Sequence, residues 1–163
     1  MTPTLNYVID LARKAGGILR QRFAEPHQIE YKGVIDIVTE ADKESERCLI
    51  GQIQRDFPDH TIVSEESGQV NGSSRHTWYT DPLDGTTNFA HGVPIYSVSI
   101  GYAVDGIMTL GVVYDPMQDE CFSAELGQGA WLNGKRIHVS PETDLNKSLL
   151  VTGFPYDIRT NHH

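Results

Sequence analysis

Leu5, Val8, Ile9, Ala12, Ala15, Leu19 and Phe23 recur mostly at three- and four-residue steps. The spacing predicts one amphipathic helix over the first two dozen residues, ending before Pro26. After a short stretch around Ile29 to Lys32, a second helical pattern carries Ala41, Cys48, Leu49, Ile53 and Phe57 and is closed by Pro58. Thr39, followed three positions later by Asp42, reads as its N-cap and places both residues at the positive end of the helix. Thr61-Ile62-Val63 and Trp78-Tyr79-Thr80 read as short buried strands, each running straight into acidic residues. From Tyr96 onward the period shortens to two, predicting antiparallel strands at Tyr96 to Val104, Met108 to Tyr114 and Glu120 to Ala124. Asp105-Gly106 supplies a hairpin turn, Asn133-Gly134 a further one, and a strand is expected near Leu149 to Thr152. Helices first and strands later predict an α+β class, a layered α/β sandwich with N-terminal helices packed on a mostly antiparallel sheet.

A length of 163 residues suits one globular domain, with 39% apolar and 21% charged residues. The sum of 13 Lys and Arg against 22 Asp and Glu leaves a net charge of −9, which argues against sequence-independent binding to nucleic acid or an anionic membrane. No run approaches the length of a membrane span, and the start has neither a basic region nor an apolar core for a signal peptide, so a cytoplasmic location is expected. Cys48 and Cys121 lie far apart among apolar neighbours, as buried free thiols of a reducing compartment would. The histidines lack His-Glu-x-x-His spacing and have no Cys pairs around them, so zinc lacks its usual ligands. Asn71-Gly72-Ser73-Ser74 is a small polar loop, and internal repeats are absent from the sequence.

The acids acquire meaning from where they fall. Glu65-Glu66 follow one strand, Asp81 and Asp84 follow another, and Asp36 and Asp42 flank a helix start. Carboxylates at strand ends point into a shared crevice, the usual place for ligands in sheet-containing domains. In Asp81-Pro82-Leu83-Asp84-Gly85-Thr86-Thr87-Asn88-Phe89, Pro82 stiffens the turn and Gly85 permits close approach of the backbone to a ligand. Asp81 and Asp84 can place oxygens around a common point, with the Leu83 carbonyl as a third ligand for a hard cation. If Gly85-Thr86-Thr87 open a helix, their unpaired N–H groups form a phosphate cradle beside it. Each acidic segment alone would serve as an ordinary turn or helix-start charge. Their conjunction at element boundaries, with no basic patch to pair them, favours cation binding.

These motifs resemble those of the magnesium-dependent, lithium-sensitive inositol monophosphatase family. The resemblance covers essentially the whole chain and rests on Asp36-Ile-Val-Thr-Glu-Ala-Asp42, Val63-Ser-Glu-Glu-Ser67 and Trp78-Tyr-Thr-Asp-Pro-Leu-Asp-Gly-Thr-Thr-Asn-Phe89. Gly127-Gln-Gly-Ala-Trp-Leu-Asn-Gly134 resembles the family's hairpin and Gly153-Phe-Pro-Tyr-Asp157 the strand end after it. Leu132 stands where a dinucleotide fingerprint needs its third glycine, so Gly127-x-Gly129 does not mark a Rossmann unit.

The resemblance implies a phosphomonoesterase that hydrolyses inositol 1-phosphate, or a similar sugar or polyol phosphate, by direct attack of a metal-activated water. It implies two or three magnesium ions held by Glu65, Asp81, the Leu83 carbonyl and Asp84, with Asp81 bridging. Gly85 and Thr86 would bind the phosphate through backbone amides, Thr86 and Asp42 would orient the attacking water, and Lys32 sits where the family places a lysine near the active site. Glu66 is implicated as a weaker metal contact. Lithium inhibition and a homodimer are further family expectations; fructose 1,6-bisphosphate and a nucleotide bisphosphate are alternative substrates. The family also has a further metal carboxylate in a Trp-Asp-x-Ala-type segment, which this sequence lacks. Residues 1–163 are therefore expected to be the N-terminal metal- and phosphate-binding domain of a longer enzyme, without the C-terminal domain. The alternative is a truncated, catalytically inactive metal-binding fragment.

Overall fold

In the computed structural model, which describes residues 2–25, 29–31, 37–70 and 74–152, the first apolar stripe forms helix α1, Leu5–Phe23. Thr4 caps it, its hydroxyl accepting the Tyr7 N–H at 3.2 Å. Two short strands, β1 at Ile29–Tyr31 and β2 at Ile37–Thr39, pair antiparallel. Helix α2, Glu40–Asp56, begins at a capping box in which the Thr39 and Asp42 side chains each accept the other's backbone N–H. The chain then forms β3 at Thr61–Ser64, β4 at Gly68–Val70, β5 at His76–Asp84 and the short helix α3 at Thr86–Ala90. A meander completes the order: β6 at Ser97–Val104, β7 at Ile107–Asp115, β8 at Glu120–Glu125, β9 at Gly129–Leu132 and β10 at Lys135–Ile137.

Eight strands make one sheet in the order β10-β9-β8-β7-β6-β5-β3-β4. Every neighbour is antiparallel except β3 and β5, which run parallel with Ser64 opposite Thr80. Helices α1 and α2 pack on one face of this sheet, so the architecture is the expected α+β class. Both predicted turns occur: Asp105-Gly106 has φ of 52° and 79°, and Asn133-Gly134 has 49° and 76°, the left-handed pair that a two-residue hairpin turn requires.

Under the helices lie Val8, Leu11, Leu19, Leu49, Ile53 and, from the sheet, Ile62, Trp78, Ile100, Tyr102 and Val112. The buried indole N–H of Trp78 donates to His60 Nδ1 at 3.0 Å, so this large ring enters the core with its polar atom satisfied. On the opposite face Tyr79, Met108, Val113 and Phe122 are exposed, and among the described residues no helix covers them.

Three expectations need correction. The strand at Trp78 is not short, because β5 continues for nine residues to Asp84. Its register shifts between Asp81 and Asp84, where Pro82 has no N–H to give the ladder. No strand forms at Leu149 to Thr152: Leu149, Leu150 and Val151 are exposed, and among the described residues no strand pairs with them. Cys121 is buried but Cys48 only half-buried, and both are free thiols. Lys32, Asp36 and Gly153 to Asp157 fall outside the described residues. No helix among the described residues is long and apolar enough to cross a membrane.

Candidate active site

The parallel pairing of β3 and β5 puts their C-terminal ends side by side, which brings together two acidic segments far apart in sequence. Glu65 leaves β3 in a turn, and its N–H donates to the Thr80 carbonyl at 3.0 Å, continuing the ladder by one residue. Asp81, next to Thr80, then faces Glu65 within hydrogen-bonding range, and Asp84 adds its charge nearby. Glu65 and Asp84 are exposed, Asp81 half-buried.

Burial foremost, then the hydrogen bond with Glu65 and the charges of Glu65 and Asp84, push the Asp81 carboxyl up to about 8. The Leu83 N–H donating to Asp81 Oδ1 at 3.0 Å opposes this rise without cancelling it. Without a cation, the pair favours holding a proton. A hard cation fits this all-oxygen donor set, because it would replace the proton and offset the crowded charge. Among the described residues no group of three His, Cys, Asp or Glu side chains is arranged to hold a metal ion.

A second arrangement lies at the start of α3. The Thr86 hydroxyl is 2.9 Å from the Leu83 carbonyl and 3.2 Å from Asp42 Oδ1, sharing its single proton between them. Asp42 itself is buried, and its Oδ2 accepts from Thr39 N–H at 2.8 Å and from the Thr39 hydroxyl at 2.5 Å. Burial raises the Asp42 pKa, while the hydrogen bonds from Thr39 and Thr86 partly restrain it. The result is an aimed, partly desolvated carboxylate in contact with a hydroxyl.

Gly85 caps α3 with φ 95°. A Cβ there would come within 3.0 Å of the Ile95 carbonyl and 3.3 Å of Tyr96 Cα. The glycine is thus required by its left-handed conformation and by the Ile95–Tyr96 backbone packed against it.

A profile of the inositol monophosphatase family matches residues 1–163. The chain belongs to the inositol monophosphatase family. It is 44% identical over 159 residues to the Nus factor SuhB of Escherichia coli, covering 96% of this chain and 60% of that protein. Inositol monophosphatase 1 of Solanum lycopersicum is 45% identical over 152 residues, with 91% of this chain and 56% of the relative covered. The solved inositol monophosphatase of Anabaena (Nostoc) superposes with a TM-score of 0.81 at 43% identity, over 93% of this chain and 55% of that one. The chain spans 60% or less of the length of these relatives.

Within this family fold, Asp42, Leu83, Asp84, Gly85 and Thr86 are gathered around the end of β5 and the start of α3, and Glu65 and Asp81 meet beside them. Lys32 lies outside the described residues. Sequence reasoning missed Ser45 and Glu46 of α2. The Ser45 hydroxyl donates to the Pro82 carbonyl at 2.8 Å, and Glu46 is buried against the Glu65 turn. A signal was present: Asp42, Glu46, Leu49 and Ile53 follow one helical stripe, so two acids stand in phase with the core.

Proposed function

We propose that this chain carries the metal- and phosphate-binding part of a magnesium-dependent phosphomonoesterase acting on inositol 1-phosphate or a similar polyol phosphate. The observation that carries the reading is the meeting of Glu65 with Asp81 beside the hydrogen-bonded pair Asp42 and Thr86. Glu65, Asp81, Asp84 and the Leu83 carbonyl would hold magnesium. The chemistry that the bound cations supply is neutralisation of the phosphate charge and acidification of water.

The chain's own residues supply the alignment. With its proton directed toward Asp42 and the Leu83 carbonyl, the Thr86 hydroxyl keeps oxygen lone pairs free to accept from a water and orient it. Asp42, made more basic by burial and held by Thr39, is the acceptor to which a proton from that water can pass through the Thr86 hydroxyl. The Gly85 and Thr86 amides at the start of α3 would receive the phosphate oxygens.

The test is phosphate release from inositol 1-phosphate, fructose 1,6-bisphosphate and an adenosine bisphosphate in magnesium, by this chain. Asp84→Asn is expected to lower the rate about a hundredfold or more while the protein stays folded. Unchanged turnover at saturating magnesium would refute the assignment. The 44% identity to a Nus factor favours one competing reading, a non-catalytic module. Magnesium-dependent thermal stabilisation with no turnover on any of the three substrates would support it.

A further inference from the structure

Glu46 is a buried carboxylate, 8% exposed, that the chemistry proposed above does not use. Its Oε1 accepts from the Ser64 hydroxyl at 2.6 Å and from the Ser67 N–H at 2.9 Å, and its Oε2 accepts from the Ser67 hydroxyl at 2.7 Å. All three donors are uncharged, and they come from the two residues that bracket Glu65-Glu66. The carboxylate, an acceptor only, is thus matched to a turn that offers it only donors.

This turn joins β3 to β4, whose ladder closes it with Ser64 opposite Gly68. On the side of β5 it is held by the ladder, through the Glu65 N–H to Thr80 bond. On the side of α2 it is held by Glu46, and Gly68, which ends it with φ 69°, has no neighbour against its bare side. Glu65 and Ser67 are exposed, so solvent competes for the polar groups of both residues.

We propose that Glu46 is a positioning residue that fixes the Glu65 turn so that Glu65 faces Asp81, and thereby sets the affinity of the site for a divalent cation. The inference rests on the metal-binding reading above and assigns a role to a residue outside the ligand set. Glu46 acts through shape. A carboxamide in its place keeps an oxygen for the Ser64 hydroxyl and Ser67 N–H, and its NH₂ can donate to the Ser67 hydroxyl once that hydroxyl rotates. Alanine keeps none of these bonds.

The experiment is a magnesium titration of the full chain by calorimetry, with amide hydrogen exchange of the metal-free protein read at Ser67. Glu46→Ala should weaken magnesium binding about ten- to a hundredfold and speed exchange at Ser67, whereas Glu46→Gln should stay within about threefold of wild type. Ser67→Ala, which removes only the bond to Oε2, should show a smaller loss and serves if Glu46→Ala does not fold. Unchanged magnesium affinity and Ser67 exchange in the alanine variants, beside lost affinity in Glu65→Gln, would overturn this inference alone. An equal loss in Glu46→Gln and Glu46→Ala would also overturn it, because charge rather than shape would then be responsible. A wild-type chain that binds no magnesium would overturn it together with the proposed function.

Discussion

On one face of the eight-stranded sheet, Trp78, Ile100, Tyr102 and Val112 are sealed beneath α1 and α2, while on the other Tyr79, Met108, Val113 and Phe122 stand in solvent. Both sets are large and apolar, so residue type does not distinguish core from surface here. The helices do. The polar residues divide along the same line. Asp42, Ser45 and Glu46 on α2 are buried and engaged with neighbouring segments, whereas Glu65 and Asp84 are exposed and Asp81 is crowded by their like charges. The helix side therefore fixes positions, and the acids it positions are left to bind something else.

The sharpest way to break this contrast is to truncate equally on both sides. Leu49→Ala, in the sealed core, should cost about 2–5 kcal/mol in urea unfolding, while Phe122→Ala on the open face should stay within about 0.5 kcal/mol. Comparable losses would mean that the open face is packed in this chain after all.

A smaller effect comes from Asp81. Its folded pKa lies above its unfolded value, so folding takes up a proton. That contribution is complete below the ordinary carboxylate pKa and is lost as the pH rises through about 8. Solvent screening of a half-buried carboxyl cuts it to about 1–2 kcal/mol, or roughly 3–6 °C of melting temperature. The metal-free chain should accordingly melt lower at pH 9 than at pH 5, magnesium should restore the loss, and Asp81→Asn should flatten the profile. A flat wild-type profile in calorimetric scans would mean that the acids do not crowd one another.

The smallest predicted effect is Thr39→Ala, expected to cost about 1 kcal/mol through loss of the α2 cap. Because the Thr39 hydroxyl also donates to Asp42, circular dichroism melts of this variant test how far the helix start supports the site.

Much of this was legible because local chemistry announced it. The stripe from Leu5 to Phe23, the Thr39 and Asp42 cap, and the two left-handed turns each follow from residues close in sequence. Where the outcome depends on distant partners, sequence reasoning fell short. Leu149-Leu150-Val151 has strand composition, but a strand exists only beside another. Strands β1, β2, β4 and β10 span three residues each, too few for a period to show. Glu46 passes in sequence for one more helix-surface acid, and only its helical phase sets it apart. The packing constraint on Gly85 was out of reach for the same reason, since Ile95 and Tyr96 meet it only once the chain has folded back.

The parallel pairing of β3 with β5 also has a cost in chain entropy. Strands β6 to β10 can zip together through short reversals, whereas β3 reaches β5 only after the intervening chain, β4 included, has turned back on itself. The entropy of closing that loop is spent before the contact rewards it. The same closure carries Glu65 to Asp81, so the like charges meet in the step that joins the two strands. On the metal-binding reading proposed above, a cation there would favour the closure of the sheet as well as the geometry of the site.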